Sequence, residues 1–271
     1  MTYDVNKIRS HFPSLNTGLA FFDGPGGSQV PDVVGAAIAD AITKPISNRN
    51  TNTESEKNAE EIVLGFRRAV ADLIDVDPNG VVYGRSWTQI TYDFSRTLAK
   101  TWKAGDEVVV SRLDHDSNVR PWIQAAEAVG ATIRWAEFDI ATSELTVAAV
   151  EAVLSSKTKL VAITHMSNVL GTVVDVKAIC RAAREKGVPV LVDGSQAAVH
   201  GPVDVQAIGC DFYAVTGHKL YGPSGSGVIY IRADRQAEMR PFLGGGDMIR
   251  EVSRDAVVYN DPPMKFEAGT P

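Results

Sequence analysis

Cysteine is scarce in this chain of 271 residues: Cys180 and Cys210 are its only two, far apart and outside any CxxC pattern. Two isolated cysteines imply no disulfide framework, cannot build a metal cluster by themselves, and fit a reducing compartment. No apolar run approaches the roughly 18 residues of a membrane span, and the Met1–Lys7 start lacks the apolar core of a signal peptide. A cytoplasmic protein with no membrane partner is expected. Charge of one sign does not accumulate either. The net charge is −6, the isoelectric point is about 5.4, and basic residues are interleaved with acidic ones, so there is no basic field for nucleic acid. Internal repeats and low-complexity tracts are also missing.

What is present is a regular alternation. Apolar, β-branched runs of strand length occur at 81–83, 107–111, 132–138, 160–164, 189–193, 211–216 and 227–231. Between them, helical spacing marks 59–74, 89–102, 119–129, 147–154 and 176–186, several ending at glycine. With 44% hydrophobic residues, the chain can build one large α/β domain. The alternation predicts a seven-stranded, mainly parallel or mixed sheet between helices, with ligands collecting beyond the strand ends. The polar stretch 44–58 reads as a loop. After Ile231 the pattern degrades into Gly244-Gly245-Gly246 and Asp261-Pro262-Pro263, and the chain stops in a turn-like Glu267-Ala268-Gly269-Thr270-Pro271. That ending is the kind expected of a fragment of something longer.

The chemistry concentrates around Thr216-Gly217-His218-Lys219, a glycine-rich turn at a strand end. A lysine in such a turn is ordinarily solvated. One step earlier, however, the strand Pro189-Val190-Leu191-Val192-Asp193 delivers a carboxylate at its C-terminal end, and burying it there calls for a cationic partner. A protonated pyridine nitrogen is one such partner; an Asp capping the next helix is the plain alternative. Between strand 81–83 and the helix near Gln89, the turn Gly84-Arg85-Ser86-Trp87-Thr88-Gln89 can direct backbone N–H groups and the Thr88 hydroxyl at an anion, or simply cap the helix.

Five runs in order bear a resemblance: Leu113-Asp114-His115-Asp116-Ser117-Asn118, Thr164-His165-Met166-Ser167-Asn168-Val169-Leu170-Gly171-Thr172, Val192-Asp193-Gly194-Ser195-Gln196-Ala197, Thr216-Gly217-His218-Lys219-Leu220-Tyr221-Gly222-Pro223 and Phe266-Glu267-Ala268-Gly269-Thr270-Pro271. Together they resemble the class V aminotransferase fold, most of all Suf-type cysteine desulfurases and their selenocysteine lyase-like kin. The resemblance covers nearly the whole chain. It implies the large domain of a pyridoxal-phosphate-dependent, aspartate aminotransferase-like (fold type I) enzyme, with an N-terminal segment at 1–30, the cofactor domain at 31–250, and at 251–271 the start of a connection to an absent C-terminal domain. Lys219 is then the Schiff-base lysine and proton carrier, Asp193 the partner of the pyridinium, and His115 the residue stacked on the ring. Without the resemblance, His115 reads as a surface histidine between two aspartates. Asn168 and Gln196 are implied to bond the phenolic oxygen of the cofactor. Ser86, Thr88, Thr216 and His218 surround the phosphate, and Thr270 reaches the phosphate of a neighbouring subunit, which implies a homodimer. The implied reaction is removal of sulfur from cysteine or a related amino acid, with a sulfur-acceptor protein as a further partner.

The sequence also departs from that pattern. Trp87 stands where Suf-type desulfurases carry a small hydroxyl residue, and Asp23-Gly24-Pro25-Gly26-Gly27 is richer in glycine than their N-terminal segment. In those enzymes the nucleophilic cysteine and the arginine that grips the substrate carboxylate follow the Gly-Thr-Pro motif. Cys180 and Cys210 lie in or beside core elements and read as structural; His165 and His200 need no metal role. Other readings therefore stay open: an epimerase, aminotransferase or β-lyase on the same fold, or a non-catalytic cofactor-binding remnant.

Overall fold

In the computed structural model, which describes residues 3–270, the alternation becomes a single seven-stranded sheet. The strands are β1 (Val81–Gly84), β2 (Glu107–Ser111), β3 (Thr132–Ala136), β4 (Thr158–Thr164), β5 (Val190–Asp193), β6 (Phe212–Thr216) and β7 (Gly227–Ile231). Their order is β1-β7-β6-β5-β4-β2-β3, and β7 alone runs antiparallel to its neighbours. Buried on both faces, the central strands are almost continuously apolar, as sheets covered on both sides require.

The two-residue period of a strand assigns each side chain to one of two cores. On one face Val190, Val192, Tyr213 and Val215 pack against the helices α3 (Glu54–Ile74) and α7 (Val176–Glu185). On the other, Leu191, Phe212 and Ala214 pack against α4 (Trp87–Ala99) and α5 (Arg120–Val129). Asp193, two residues beyond Leu191, comes off the strand on the α4/α5 side. Three more helices precede α7: α1 (Val5–Arg9), α2 (Asp32–Thr43), which buries no residue, and α6 (Val147–Glu151).

Part of the expected loop at 44–58 is helical. Thr53 Oγ1 accepts from the Glu56 backbone N–H at 3.3 Å while the Glu56 carboxylate accepts from the Thr53 N–H at 2.9 Å, a capping box that starts α3 at Glu54. This first turn is polar all round, so it carries no apolar period to read. The stretch after Ile231 is likewise more ordered than its composition suggests. It holds a short helix at Ala233–Glu238 and a hairpin of β8 (Ile249–Val252) and β9 (Val257–Tyr259). No helix among the described residues is long and apolar enough to cross a membrane.

The end of the chain is tied into the fold by charge. Glu267, 4% exposed, accepts from Arg67 Nη2 at 2.6 Å and from the Tyr83 backbone N–H at 3.1 Å, with Arg49 3.7 Å away. Arg67 also donates to the Val81 carbonyl at the start of β1. Removing one member of a buried pair strands the other's charge. Arg67→Met should therefore cost about 3–5 kcal/mol in urea unfolding, whereas Arg68→Met, which breaks an exposed pair with Glu61, should cost less than about 1 kcal/mol. Equal losses would refute this assignment.

Candidate active site

Five connections bring polar side chains to the C-terminal edge of the parallel strands. Seven of the ten residues singled out in the sequence, Ser86, Thr88, His115, Asp193, Thr216, His218 and Lys219, line one polar cavity of about 200 Å³, together with Trp87, Ser117 and Ser195 and with Pro25 and Gly26 of the N-terminal segment. Backbone closeness makes the assembly compact. A Cβ on Gly194 would lie 2.2 Å from the Tyr213 ring, and one on Gly227 would lie 2.6 Å from the Ser86 carbonyl carbon. Only glycine lets β6 approach the turn after Asp193, and β7 approach the N-terminus of α4.

Asp193 is held on both sides. Its Oδ1 accepts from the Ser195 N–H and its Oδ2 from Trp87 Nε1, each at 2.9 Å. The Trp87 departure thus has a physical content, since the indole supplies a buried donor. Lys219 is partly buried, and burial lowers its pKa, with the Asp193 charge pulling back the other way. Burial and the Lys219 charge together lower that of His218, whose Nδ1 is 3.0 Å from Thr216 Oγ1. At the start of α4, Ser86 caps the helix by accepting from the Gln89 N–H at 3.2 Å. The cap and anion-site readings of this turn coexist, because the other N–H groups of the first turn remain available to a ligand.

His115 Nδ1 accepts from the Ser117 N–H at 3.1 Å and lies 2.7 Å from Ser117 Oγ. Its half-buried neighbour Asp114 turns its carboxyl inward beneath the site, bonded to Ser111 Oγ and, at 2.7 Å, to Asn118 Nδ2. Asn118 in turn accepts from Trp122 Nε1 at 3.1 Å. Burial, offset by these donors and reinforced by the Asp193 charge, pushes the Asp114 carboxyl up to about 7.

Three singled-out residues lie off this wall. Gln196 Nε2 donates to the Pro25 carbonyl at 3.1 Å, tying down the segment that covers the cavity. Asn168 sits half-buried in the β4–α7 connection, and Thr270 is exposed, its hydroxyl 3.2 Å from Asn48 Oδ1. Sequence reasoning passed over Ser195, whose buried hydroxyl has no partner among the described residues although the residue lies on the cavity wall. An orphaned hydroxyl, a buried carboxylate, a lysine and a helix N-terminus around one space form the donor set that a pyridine ring carrying a phosphate requires, and pyridoxal phosphate fits it.

Residues 20–271 match the family model of class-V aminotransferases. The chain belongs to that family. It is 41% identical over 277 residues to a probable cysteine desulfurase of Xylella fastidiosa, across 99% of this chain and 66% of the relative. It therefore spans just under two thirds of that relative's length. The apo cysteine desulfurase of Thermococcus onnurineus superposes with a TM-score of 0.93 at 30% identity, over 100% of this chain and 68% of that one. A C-DES variant with glycine covalently linked to its PLP cofactor superposes with a TM-score of 0.84 at 26% identity, over 99% and 70%.

Asp114 makes the pH dependence of this family member testable. Its folded-state pKa is raised, so the folded protein binds the proton more tightly than the unfolded chain. The associated stability is present below about pH 4 and is lost as pH rises to about 7. Asp114→Asn should flatten that decline by a few kcal/mol, at about 1.4 kcal/mol for each tenfold difference in proton affinity between folded and unfolded chain. Urea unfolding from pH 4 to 8 measures it, and parallel curves for the two proteins would refute the buried, raised carboxyl.

Proposed function

We propose that the chain is the cofactor-binding part of a pyridoxal-phosphate enzyme that acts at the α-carbon of an amino acid, as a cysteine desulfurase does. The observation that carries the reading is the presence of Lys219 and Asp193, with the unpartnered Ser195 hydroxyl, on one cavity wall. When bound, the cofactor supplies an electron-withdrawing ring that takes up the electron pair released at the substrate α-carbon. Lys219 holds the cofactor covalently and afterwards moves the α-proton, a task suited to an amine whose pKa burial has lowered. Asp193, oriented by Trp87 and Ser195, receives the ring N–H. His115 covers the ring face. Ser86, Thr88, Thr216 and His218 donate to the phosphate beside the N-terminus of α4. Gln196 contributes through Pro25, by keeping the N-terminal segment over the site.

The remaining parts of the reading are proposals of the same kind: residues 1–30 as an N-terminal segment, 31–250 as the cofactor domain, a cytoplasmic homodimer with Thr270 turned toward the neighbouring subunit, and a sulfur-acceptor partner. Sulfur leaving L-cysteine, which becomes alanine, has to be taken by a thiolate as a persulfide. Both cysteines here are poor candidates. Burial, first of all, pushes the Cys180 thiol up to about 12 and the Cys210 thiol well above its usual value, and a thiol that stays protonated is a weak nucleophile.

Two measurements test the proposal. With pyridoxal phosphate added, the chain should develop a visible absorption band that borohydride abolishes, and peptide mapping should place the reduced cofactor on Lys219; an adduct on another lysine removes the central claim. With cysteine added, mass spectrometry should find no persulfide on Cys180 or Cys210 on the timescale of turnover. A fast persulfide on either that vanishes in Lys219→Ala would reassign the sulfur acceptor.

A further inference from the structure

One residue of the polar cavity wall combines burial with an unmet hydrogen bond. Ser195 is 3% exposed, and among the residues on that wall it alone carries a buried side-chain atom with no partner among the described residues. Buried hydroxyls are ordinarily bonded, so an orphan beside a cavity is a candidate partner for a ligand atom. The turn that bears it is fixed in place. The Ser195 N–H donates to Asp193 Oδ1 at 2.9 Å, the Gly194 N–H to the Ala214 carbonyl at 2.8 Å, and Gln196 Nε2 to the Pro25 carbonyl at 3.1 Å.

The polar atoms of pyridoxal phosphate leave one acceptor for this hydroxyl. Asp193 takes the ring N–H, and Ser86, Thr88, Thr216 and His218 serve the phosphate. The phenolic oxygen remains, on the side of the ring away from the phosphate arm. Asn168 and Gln196, which the resemblance implies for this oxygen, do not border the cavity, whereas Ser195 does. We infer that Ser195 Oγ donates to the phenolic oxygen and thereby sets the proton affinity of the nitrogen that joins Lys219 to the cofactor. The inference rests on the function proposed above and adds a residue to it. When that nitrogen is protonated, the phenolic oxygen beside it is anionic and helps to hold the proton. A donor on the oxygen draws off part of its charge, so the nitrogen releases its proton at lower pH. The linkage can then accept the proton carried by the ammonium group of an amino-acid substrate.

The test compares the unmodified chain with Ser195→Ala, both saturated with pyridoxal phosphate, by following the visible absorption band from about pH 6 to 10. The band of the variant should convert at a pH about one unit higher, a tenfold gain in proton affinity. His115, Asp193 and His218 on the same wall, and Asp114 beneath it, are present in both proteins, so the difference between the curves reports the hydroxyl. Without cofactor, Ser195→Ala should be at least as stable in urea as the unmodified chain, because the substitution removes a buried group that has no partner. A hydroxyl with a merely structural role would instead lower that stability and leave the band's titration where it was. Coincident titrations, a shift to lower pH, bands that stay constant over the range in both proteins, or a destabilised cofactor-free variant would overturn the inference and leave the proposed function standing. An unmodified chain that takes up no cofactor at Lys219 would overturn both.

Discussion

A carboxylate at the buried end of a central strand is the constraint around which the site is arranged. Asp193 is 5% exposed, and moving a charged group out of water costs several kcal/mol unless donors and an opposite charge compensate. The fold supplies compensation from three separate parts of the chain. The Ser195 N–H comes from the turn that follows, the Trp87 indole from the first turn of α4, and the positive charge from Lys219 after β6. None of these is adjacent to Asp193 in sequence except Ser195. The parallel strand order brings them together, because β5 and β6 are neighbours and both end at the same edge.

That convergence restricts the backbone around it. For Trp87 to reach Asp193, the N-terminus of α4 has to press on the start of β7, and the contact leaves no room for a side chain at Gly227. For the Asp193–Ser195 turn to sit against Tyr213, residue 194 has to be glycine as well. The site's polar groups and the sheet's close packing are two aspects of one geometry. A side chain at Gly227 would displace the start of α4 that carries Trp87, and one at Gly194 would drive into the buried Tyr213 ring.

The strands, the two-sided sheet and the carboxylate at the end of strand 189–193 were legible in the sequence as local properties, whereas His115, Thr216 and His218 came to the cavity wall only through the resemblance of the ordered motifs. What escaped was nonlocal or nonperiodic. The Arg67–Glu267 pair joins residues 200 positions apart, and no local pattern marks it. The first turn of α3 is defined by two side chains in a capping box rather than by an apolar face. The resemblance implied that Gln196 bonds the phenolic oxygen of the cofactor; that its Nε2 donates to the Pro25 carbonyl, a contact created only when the N-terminal segment folds back, is what no local pattern marks. Ser195 lay inside a recognised motif yet carries no signal of its own; its significance is the lack of a partner, which only three-dimensional accounting reveals.

The distribution of charge beneath the cavity follows from the same accounting. The Asp193 charge adds to burial in raising the Asp114 pKa, because two ionised carboxylates in one dry space repel strongly. The hydrogen-bond partners differ in kind. Asp193 accepts from a backbone N–H and an indole, groups that can only donate. Asp114 faces the Ser111 hydroxyl, which can donate or accept and so tolerates a protonated partner as well. Asp114 is thus able to stay neutral up to about pH 7, and it does not border the cavity. Its bonds continue through Asn118 to the Trp122 indole in the core, anchoring the connection that carries His115. Asp193 lies on the cavity wall itself, while Asp114 serves the site by position, its carboxyl kept from ionising chiefly by burial and against the pull of its own donors.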